Sequence, residues 1–128
     1  MCGIISYTGT ESAIVKLTDG LTSLEYRGYD SAGVAFFAGD GLISVKSKGR
    51  LSFLKEKLDG VKEAQTTTCG IGHTRWAAHG EPSDTNSHPH GTENLYIVHN
   101  GVIENYHLLK KAYLKGIQVQ SETDTEVI

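Results

Sequence analysis

The sequence has few of the residues that rigidify or cross-link a chain, with only two prolines and two cysteines among its 128 residues. Cys2 and Cys69 cannot build the disulfide framework of a small secreted domain, so a reducing, cytoplasmic compartment is expected. No apolar run approaches the roughly 18 residues of a membrane span. The start also lacks the basic and apolar regions of a signal peptide. These absences favour neither a membrane protein nor a secreted one.

The chain also lacks an excess of positive charge. Its net charge is −3 and it contains no basic run, which gives no support for nucleic-acid binding. We find no internal repeat and no low-complexity segment. The length suits one domain and is too short for two. The 15 glycines indicate tight turns and close backbone approaches.

What is present is a mixture of helical and strand patterns, which predicts an α/β chain. Short apolar or β-rich runs predict strands over 3–7, 32–37, 42–45, 67–73 and 95–99, with a hairpin turn at 38–41. Apolar residues spaced three and four apart predict helices over 11–26, 52–59 and 105–115, with Asn105 as a cap and Gly60 and Gly116 as stops. Gly20 weakens the first helix without ending it.

Two further segments carry organisational information. Residues 77–91 are polar, hold both prolines and predict a long loop, which in compact domains is usually functional or disordered. Thr123 and Glu126 fit the capping box of a helix start. Since only Val127 and Ile128 follow, the chain looks like a truncated, marginally stable domain; a frayed terminus is the alternative.

The first three residues, Met1-Cys2-Gly3, suggest chemistry. Removal of Met1 would leave a thiol and a free α-amine on Cys2, so that a nucleophile and a general base share one residue. Both groups exchange protons near neutral pH. Gly3 would let the backbone approach a substrate closely. The alternative is that Cys2 is a small buried hydrophobic residue.

Four stretches and the chain end together resemble a known family. They are MCGI at 1–4, EYRGYDSAG at 25–33, HTRWAAHGEPSDTNSHPH at 73–90, HNGVIEN at 99–105 and SETDTEVI at 121–128. They are similar to the glutaminase domains of glutamine–fructose-6-phosphate amidotransferases, among the class II glutamine amidotransferases. EYRGYDSAG decides the subfamily, because amidophosphoribosyltransferases resemble HRGQESAG there and asparagine synthetases RGPD.

The resemblance implies a fold and a reaction. The fold is the α/β N-terminal-nucleophile hydrolase fold, a four-layer αββα sandwich with mainly antiparallel sheets. Residues 1–128 would be its N-terminal portion, without the strands that complete both sheets and without the sugar isomerase domain. The reaction is hydrolysis of L-glutamine to glutamate and ammonia, with no cofactor or metal. Fructose-6-phosphate would bind only through the missing domain, and the parent enzyme would be a homodimer.

The resemblance also assigns the catalytic group. Cys2 would be the nucleophile and its freed amine the base. The side-chain amide of Asn100 and the backbone N–H of Gly101 would form the oxyanion hole. Taken alone, Asn-Gly is an ordinary turn dipeptide.

The resemblance also assigns the residues that would hold the substrate. Arg75 would grip the α-carboxylate with its two-pronged guanidinium, and Asp124 would take the α-ammonium. Trp76 and the loop after it would form a mobile flap, although a lone tryptophan is more often a core residue. His79 would border the site.

Some features are left open by the resemblance. Ala78 stands where many relatives carry threonine, so a hydroxyl contact to glutamine is in doubt. Arg27 and Gly28 would lie near the nucleophile, with individual roles open. His88-Pro89-His90 could suggest a metal, but a metal needs three or four converging ligands.

Two alternatives of other classes remain. One is a non-catalytic glutamine-binding or interaction module on the same scaffold, which could lose its nucleophile. The other is a small thiol or metal protein that uses both cysteines and the histidines, with Cys69 otherwise a buried structural thiol. Among enzymes, the alternative is the glutaminase domain of an amidophosphoribosyltransferase.

Overall fold

The computed structural model describes residues 1–77 and 80–128. The helices and strands follow in the order β1 (Gly3–Thr8), α1 (Ala13–Leu24), β2 (Ser31–Ala38), β3 (Gly41–Lys48), α2 (Leu51–Asp59), β4 (Cys69–Arg75), β5 (His90–Gly91), β6 (Tyr96–Ile97) and α3 (Tyr106–Tyr113). Short 3₁₀ turns occupy Glu25–Arg27, Lys62–Gln65 and Asp124–Val127. The fold is therefore mixed α/β, as predicted.

A four-stranded sheet in the order β1-β4-β2-β3 is the centre of the fold, and every neighbouring pair is antiparallel. One of its faces packs against α1 and α2. Leu17, Leu21 and Leu54 from these helices meet Val34 and Phe36 of β2, and all five side chains are almost fully buried. This face holds the hydrophobic core, which the helical apolar spacing predicted. β5 and β6 form a separate two-stranded antiparallel sheet.

The opposite face of the sheet is covered by a polar segment of the chain. Because side chains alternate along a strand, Gly33 and its register partner His73 lie on the face away from Val34. There the His73 ring stacks on His88, with centroids 4.2 Å apart. A Cβ at Gly33 would collide with the carbonyl oxygen of His88. The loop after β4 therefore returns across this face at a distance that only glycine allows.

We expect Gly33→Ala to destabilise the chain by about 1–3 kcal/mol, as is usual for an overpacked contact with backbone. The matched control is Gly41→Ala in the neighbouring strand, where a Cβ would meet nothing within 4 Å. Denaturant unfolding of both variants and the wild type makes the comparison. Equal midpoints for the two variants would contradict the close approach of the 88–90 segment to β2.

Most predicted elements are confirmed, with boundaries shifted by a few residues. Gly20 lies inside α1, and Gly60 follows α2. The predicted strand over 95–99 is wrong in length, since only Tyr96–Ile97 pairs. The third helix ends at Tyr113, before Lys115. Asn105 stands at its N-cap position but makes no side-chain capping bond.

The predicted capping box at 123–126 is also wrong. Thr123 precedes a 3₁₀ turn without capping it. Its hydroxyl instead pairs with Ser121 Oγ and His90 Nε2, each at 3.0 Å. Glu126 accepts from the backbone N–H groups of Gln120 and Ser121. The side chains therefore tie the turn to β5 and to the preceding loop.

Among the described residues, no helix is long and apolar enough to cross a membrane.

Candidate active site

The pairing of β1 with β4 places Cys2 at the end of β4. Gly3 is opposite Thr74, so the chain before Gly3 lies beside the chain after Arg75. The Trp76 backbone N–H accordingly donates to Cys2 Sγ at 3.2 Å, and the thiol approaches the Trp76 carbonyl oxygen at 3.5 Å. A Cβ at Gly3 would meet Leu24 and Thr74 at 2.8 Å. Gly3 therefore serves the close packing that brings Cys2 to this position.

Asn100 and Gly101 lie against the same end of the sheet. Asn100 Nδ2 donates to the Cys2 carbonyl oxygen at 3.2 Å, across 98 residues of sequence. Gly101 has φ of +142°, a conformation that favours glycine, and a Cβ there would lie 3.1 Å from His99 Nε2. Within the described residues the Gly101 N–H makes no hydrogen bond. An amide N–H₂ and a backbone N–H thus both lie near Cys2.

Arg75 and Asp124 supply opposite charges to the same place. The Arg75 side chain is 3% exposed, and its guanidinium donates to the carbonyl oxygens of Gly80 and Glu81 at 3.1 and 3.5 Å. Burial lowers the pKa of Arg75, while Cys2, Asp30 and Asp124 act in the opposite direction. Asp124 is 5% exposed, and its Oδ2 accepts from the Ile103 N–H at 2.7 Å. That bond also anchors the segment that follows Gly101.

These groups line one small cavity of about 30 Å³. Its walls are Cys2, Arg75, Trp76, His88, His99, Gly101, Thr123, Asp124 and Thr125. A volume of this size holds about one or two water molecules, so a substrate as large as an amino acid needs the cavity to open. A larger and mainly apolar groove of about 330 Å³ lies beside β5 and β6 and does not include Cys2. The smaller cavity is the candidate site because it contains Cys2 and not because of its size.

The EYRGYDSAG stretch contacts the backbone segments next to the site. Asp30 Oδ2 accepts from the Ala77 N–H at 2.8 Å, and the Tyr29 ring lies edge-on to Trp76 with centroids 5.6 Å apart. A Cβ at Gly28 would be 3.1–3.2 Å from the backbone of Met1, Thr74 and Arg75. Arg27 Nη2 contacts Met1 Sδ at 3.6 Å. The stretch thus contacts both the N-terminus and the start of the loop after β4.

Trp76 and Cys69 are both more exposed to solvent than core residues. Trp76 is 48% exposed at the mouth of the loop, which excludes the core alternative. Cys69, at the other end of β4, is half-buried, so the expectation of a fully buried thiol is wrong. Both cysteines are free. His79 and Ala78 lie outside the described residues, so the expectations for them stay predictions.

Three buried histidines form a layer beside the cavity, and one of them, His88, is part of its wall. His73 stacks on His88, and His88 meets His90 edge-on at 4.6 Å. Burial lowers their pKa values to about 4, 2 and 3 respectively, so all three are neutral near pH 7. The contact of His90 with Glu126 at 3.9 Å is therefore not an ion pair there. Among the described residues no group of three His, Cys, Asp or Glu side chains could hold a metal ion.

Sequence reasoning missed two residues of this region, Asp30 and His73. Each lies inside a stretch that carries the family resemblance, but the sequence assigns neither of them a role. Alternation along β4 could have found His73, since it must share a face with Arg75 two residues later. No local pattern indicates that Asp30 reaches Ala77, because that bond joins residues 47 positions apart.

The chain is similar to known glutamine amidotransferases. The family described as "Glutamine amidotransferase domain" matches residues 57–128. The chain is 56% identical over its whole length to glutamine–fructose-6-phosphate aminotransferase [isomerizing] of Halalkalibacterium halodurans, and 52% identical to the protein of that name from Gloeobacter violaceus. In both cases the chain spans about a fifth (21%) of the relative's length.

Solved structures show the same fold. Glutamine phosphoribosylpyrophosphate amidotransferase from B. subtilis matches with a TM-score of 0.77 at 25% identity, over 99% of this chain and 28% of that one. A structure titled as the allosteric regulatory enzyme of purine biosynthesis matches with a TM-score of 0.80 at 28% identity, over the same shares. The antiparallel α/β fold, the full-length identity and the family match all lead to one conclusion: this chain belongs to the glutamine amidotransferase domain family.

Proposed function

We propose that this chain forms the glutamine-hydrolysing site of a glutamine–fructose-6-phosphate aminotransferase, with Cys2 as its nucleophile. The observation that carries the proposal is the convergence of five groups from distant parts of the sequence. Cys2, Gly101, Arg75 and Asp124 line one small cavity, and the Asn100 amide donates to the carbonyl oxygen of Cys2 beside it. They correspond to a nucleophile, two oxyanion donors and holders for the two charged ends of an amino acid.

The proposed reaction proceeds through a thioester. Cys2 Sγ, having lost its proton to the base, attacks the side-chain amide carbon of glutamine. The oxyanion that forms is stabilised by Asn100 Nδ2–H and Gly101 N–H. The carbon–nitrogen bond then breaks as the base returns its proton to the leaving ammonia. Water, deprotonated by the same base, hydrolyses the thioester and releases glutamate.

The base is the α-amine that Cys2 exposes once Met1 has been removed. Among the described residues no imidazole hydrogen-bonds to Cys2 Sγ, whose contacts are the N–H and carbonyl of Trp76. His73 Nε2 is already engaged by two oxygen acceptors, and burial lowers the pKa of His88 to about 2. An amine on the same α-carbon as the thiol needs no further positioning.

The rest of the substrate is held by charge. Arg75 and Asp124 both line the cavity, and their opposite charges suit the carboxylate and ammonium groups of a free amino acid. Arg75 also bonds the carbonyl oxygens of Gly80 and Glu81 at the start of the long loop. We infer that glutamine replaces part of these contacts, so that the loop beyond Trp76 moves as the cavity opens.

The names of the relatives support a proposal for the activity of the whole protein. We propose that ammonia is passed to fructose-6-phosphate bound by a further domain, in amino sugar biosynthesis, and that the enzyme is a cytoplasmic homodimer. Free thiols at Cys2 and Cys69 fit a reducing compartment. Identity of 56% to such an aminotransferase, against 25% to a phosphoribosylpyrophosphate amidotransferase, favours this acceptor. The complete set of site residues disfavours a non-catalytic module.

The test of this assignment is acceptor dependence in the full-length protein. Glutamate release from glutamine should rise when fructose-6-phosphate is supplied, with glucosamine-6-phosphate as the second product. Phosphoribosyl pyrophosphate should have no such effect. Stimulation by phosphoribosyl pyrophosphate alone would reassign the chain to the other subfamily, and the absence of glutamate release under both conditions would refute the catalytic role.

Arg75→Lys in the full-length protein should raise the KM for glutamine by about 10–100-fold with kcat within a few-fold of wild type. The lysine ammonium is a point charge, whereas the arginine guanidinium that it replaces can make two parallel hydrogen bonds to the carboxylate. Arg50→Lys is the matched control. The Arg50 guanidinium carbon lies over the Tyr29 ring, 5.6 Å from its centroid, a contact that does not depend on two parallel hydrogen bonds. Steady-state kinetics with glutamine separates the two constants. A collapse of kcat at unchanged KM would show that Arg75 acts in the chemical step instead.

A further inference from the structure

One buried hydrogen bond connects the histidine layer to the proposed oxyanion hole. His73 is fully buried on β4, and its Nε2 lies 2.9 Å from Asn100 Oδ1 and 3.2 Å from the carbonyl oxygen of His99. Both partners are acceptors, so Nε2 must carry the hydrogen. The Nδ1 atom has no hydrogen-bond partner among the described residues.

The two ends of the Asn100 amide are therefore defined by different partners. Oδ1 accepts from His73, while Nδ2 donates to the Cys2 carbonyl oxygen at 3.2 Å. Turning the amide over would place its oxygen against the Cys2 carbonyl oxygen and its N–H₂ against the N–H of His73. Both contacts would then be repulsive, so the hydrogen-bond network permits one orientation.

The protonation state of His73 agrees with this role. Burial lowers the pKa of His73 to about 4, while the hydrogen bonds to Asn100 and His99 oppose that shift. Near neutral pH the ring is neutral and presents a single N–H. The stacked ring of His88 closes the side of His73 that faces the loop. The N–H is thus held in a buried and fixed position.

We propose that His73 is a positioning residue for catalysis, whose Nε2–H orients the Asn100 amide so that Nδ2 faces the oxyanion. The same N–H holds the His99 carbonyl and thereby the backbone that presents Gly101. The inference rests on the proposed glutaminase function. Without this bond, only the contact of Nδ2 with the Cys2 carbonyl oxygen opposes the turned-over amide, which aims an oxygen at the developing negative charge.

The test is a double-mutant cycle on the full-length protein, with glutamate release as the readout. His73→Leu should lower kcat by about 10–100-fold, less than the 10²–10³ expected for deleting a donor outright, with KM for glutamine within about threefold. His73→Gln, which can place an amide N–H near the position of Nε2, should stay within about fivefold of wild type. Asn100→Ala and the double variant should have similar kcat values, because His73 acts through Asn100.

Two controls separate positioning from general structural damage. Val34→Ala removes buried packing from the core on the other face of the sheet and touches neither end of the Asn100 amide, so it should alter stability more than kcat. If His73→Leu does not fold, the more adaptable His73→Met takes its place in the cycle. Additive effects of the His73 and Asn100 substitutions, or equal losses for His73→Leu and His73→Gln, would overturn the inference. Glutamate release by the wild type in the same assay would leave the proposed function intact.

Discussion

Cys2→Ala should abolish glutamine hydrolysis by the full-length protein, with a loss of at least about 10⁴-fold in kcat, because no other group can form the covalent intermediate. Glutamine binding should survive within about fivefold. Arg75 and Asp124 would still hold the charged end of the substrate, and alanine fills less of the cavity than cysteine. Steady-state turnover and equilibrium binding of glutamine measure the two effects separately.

The matched control for this variant is Cys69→Ala. Cys69 pairs with Thr8 and Thr74 with Gly3, so the two thiols stand at opposite ends of β4, roughly 17 Å or more apart at about 3.4 Å per residue. Cys69→Ala should therefore keep full turnover. Residual activity in Cys2→Ala above a few per cent, or a comparable loss in Cys69→Ala, would assign the nucleophile elsewhere.

Retention of Met1 should be nearly as damaging as loss of the thiol. With Met1 in place the nitrogen of Cys2 is an amide, which is not basic and cannot accept the thiol proton. Met1 also packs against the residues next to Cys2, since its carbonyl oxygen would lie 3.2 Å from a Cβ at Gly28 and its sulfur contacts Arg27. A permanent N-terminal tag should therefore lower kcat by about 10³-fold or more, given the 10²–10⁴-fold that a general base typically contributes and the added crowding.

A cleavable version of the same tag is the control. Cleavage that leaves Cys2 as the first residue should restore turnover to the untagged level, and cleavage that leaves one additional residue should not. Full activity with the permanent tag would show that the α-amine is dispensable and that a base from another residue serves the thiol.

The elements of the fold were predictable because their signals are local. α1 and α2 bury the leucines that the three-and-four spacing indicates, and the β2–β3 hairpin turns at the glycine-rich residues 38–41. The strand at 95–99 and the capping box at 123–126 were wrong because tertiary contacts override local signals there. Thr123, for example, bonds His90 rather than its own turn.

The motifs predicted which residues belong to the candidate site, but they did not predict how those residues are arranged in space. Arg75, Asn100, Gly101 and Asp124 were predicted individually; the structure brings three of them to one cavity with Cys2 and places the Asn100 amide on the Cys2 carbonyl oxygen. Their relative positions depend on the β1–β4 register and on bonds across long sequence separations, which no local pattern contains. The contribution of His73 is of the same kind, since its partner Asn100 is 27 residues away.

The most direct test of this account is the site of reaction with an electrophilic analogue of glutamine. The full-length protein would be prepared both with and without Met1, treated with the analogue and examined by peptide mass spectrometry. We predict one label per chain, on Cys2, only in chains that lack Met1, blocked by excess glutamine, with Cys69 unlabelled. Labelling of Met1-retaining chains at a comparable rate, or labelling of Cys69 in place of Cys2, would contradict the proposal that Cys2 acts as a terminal nucleophile with its own amine as base.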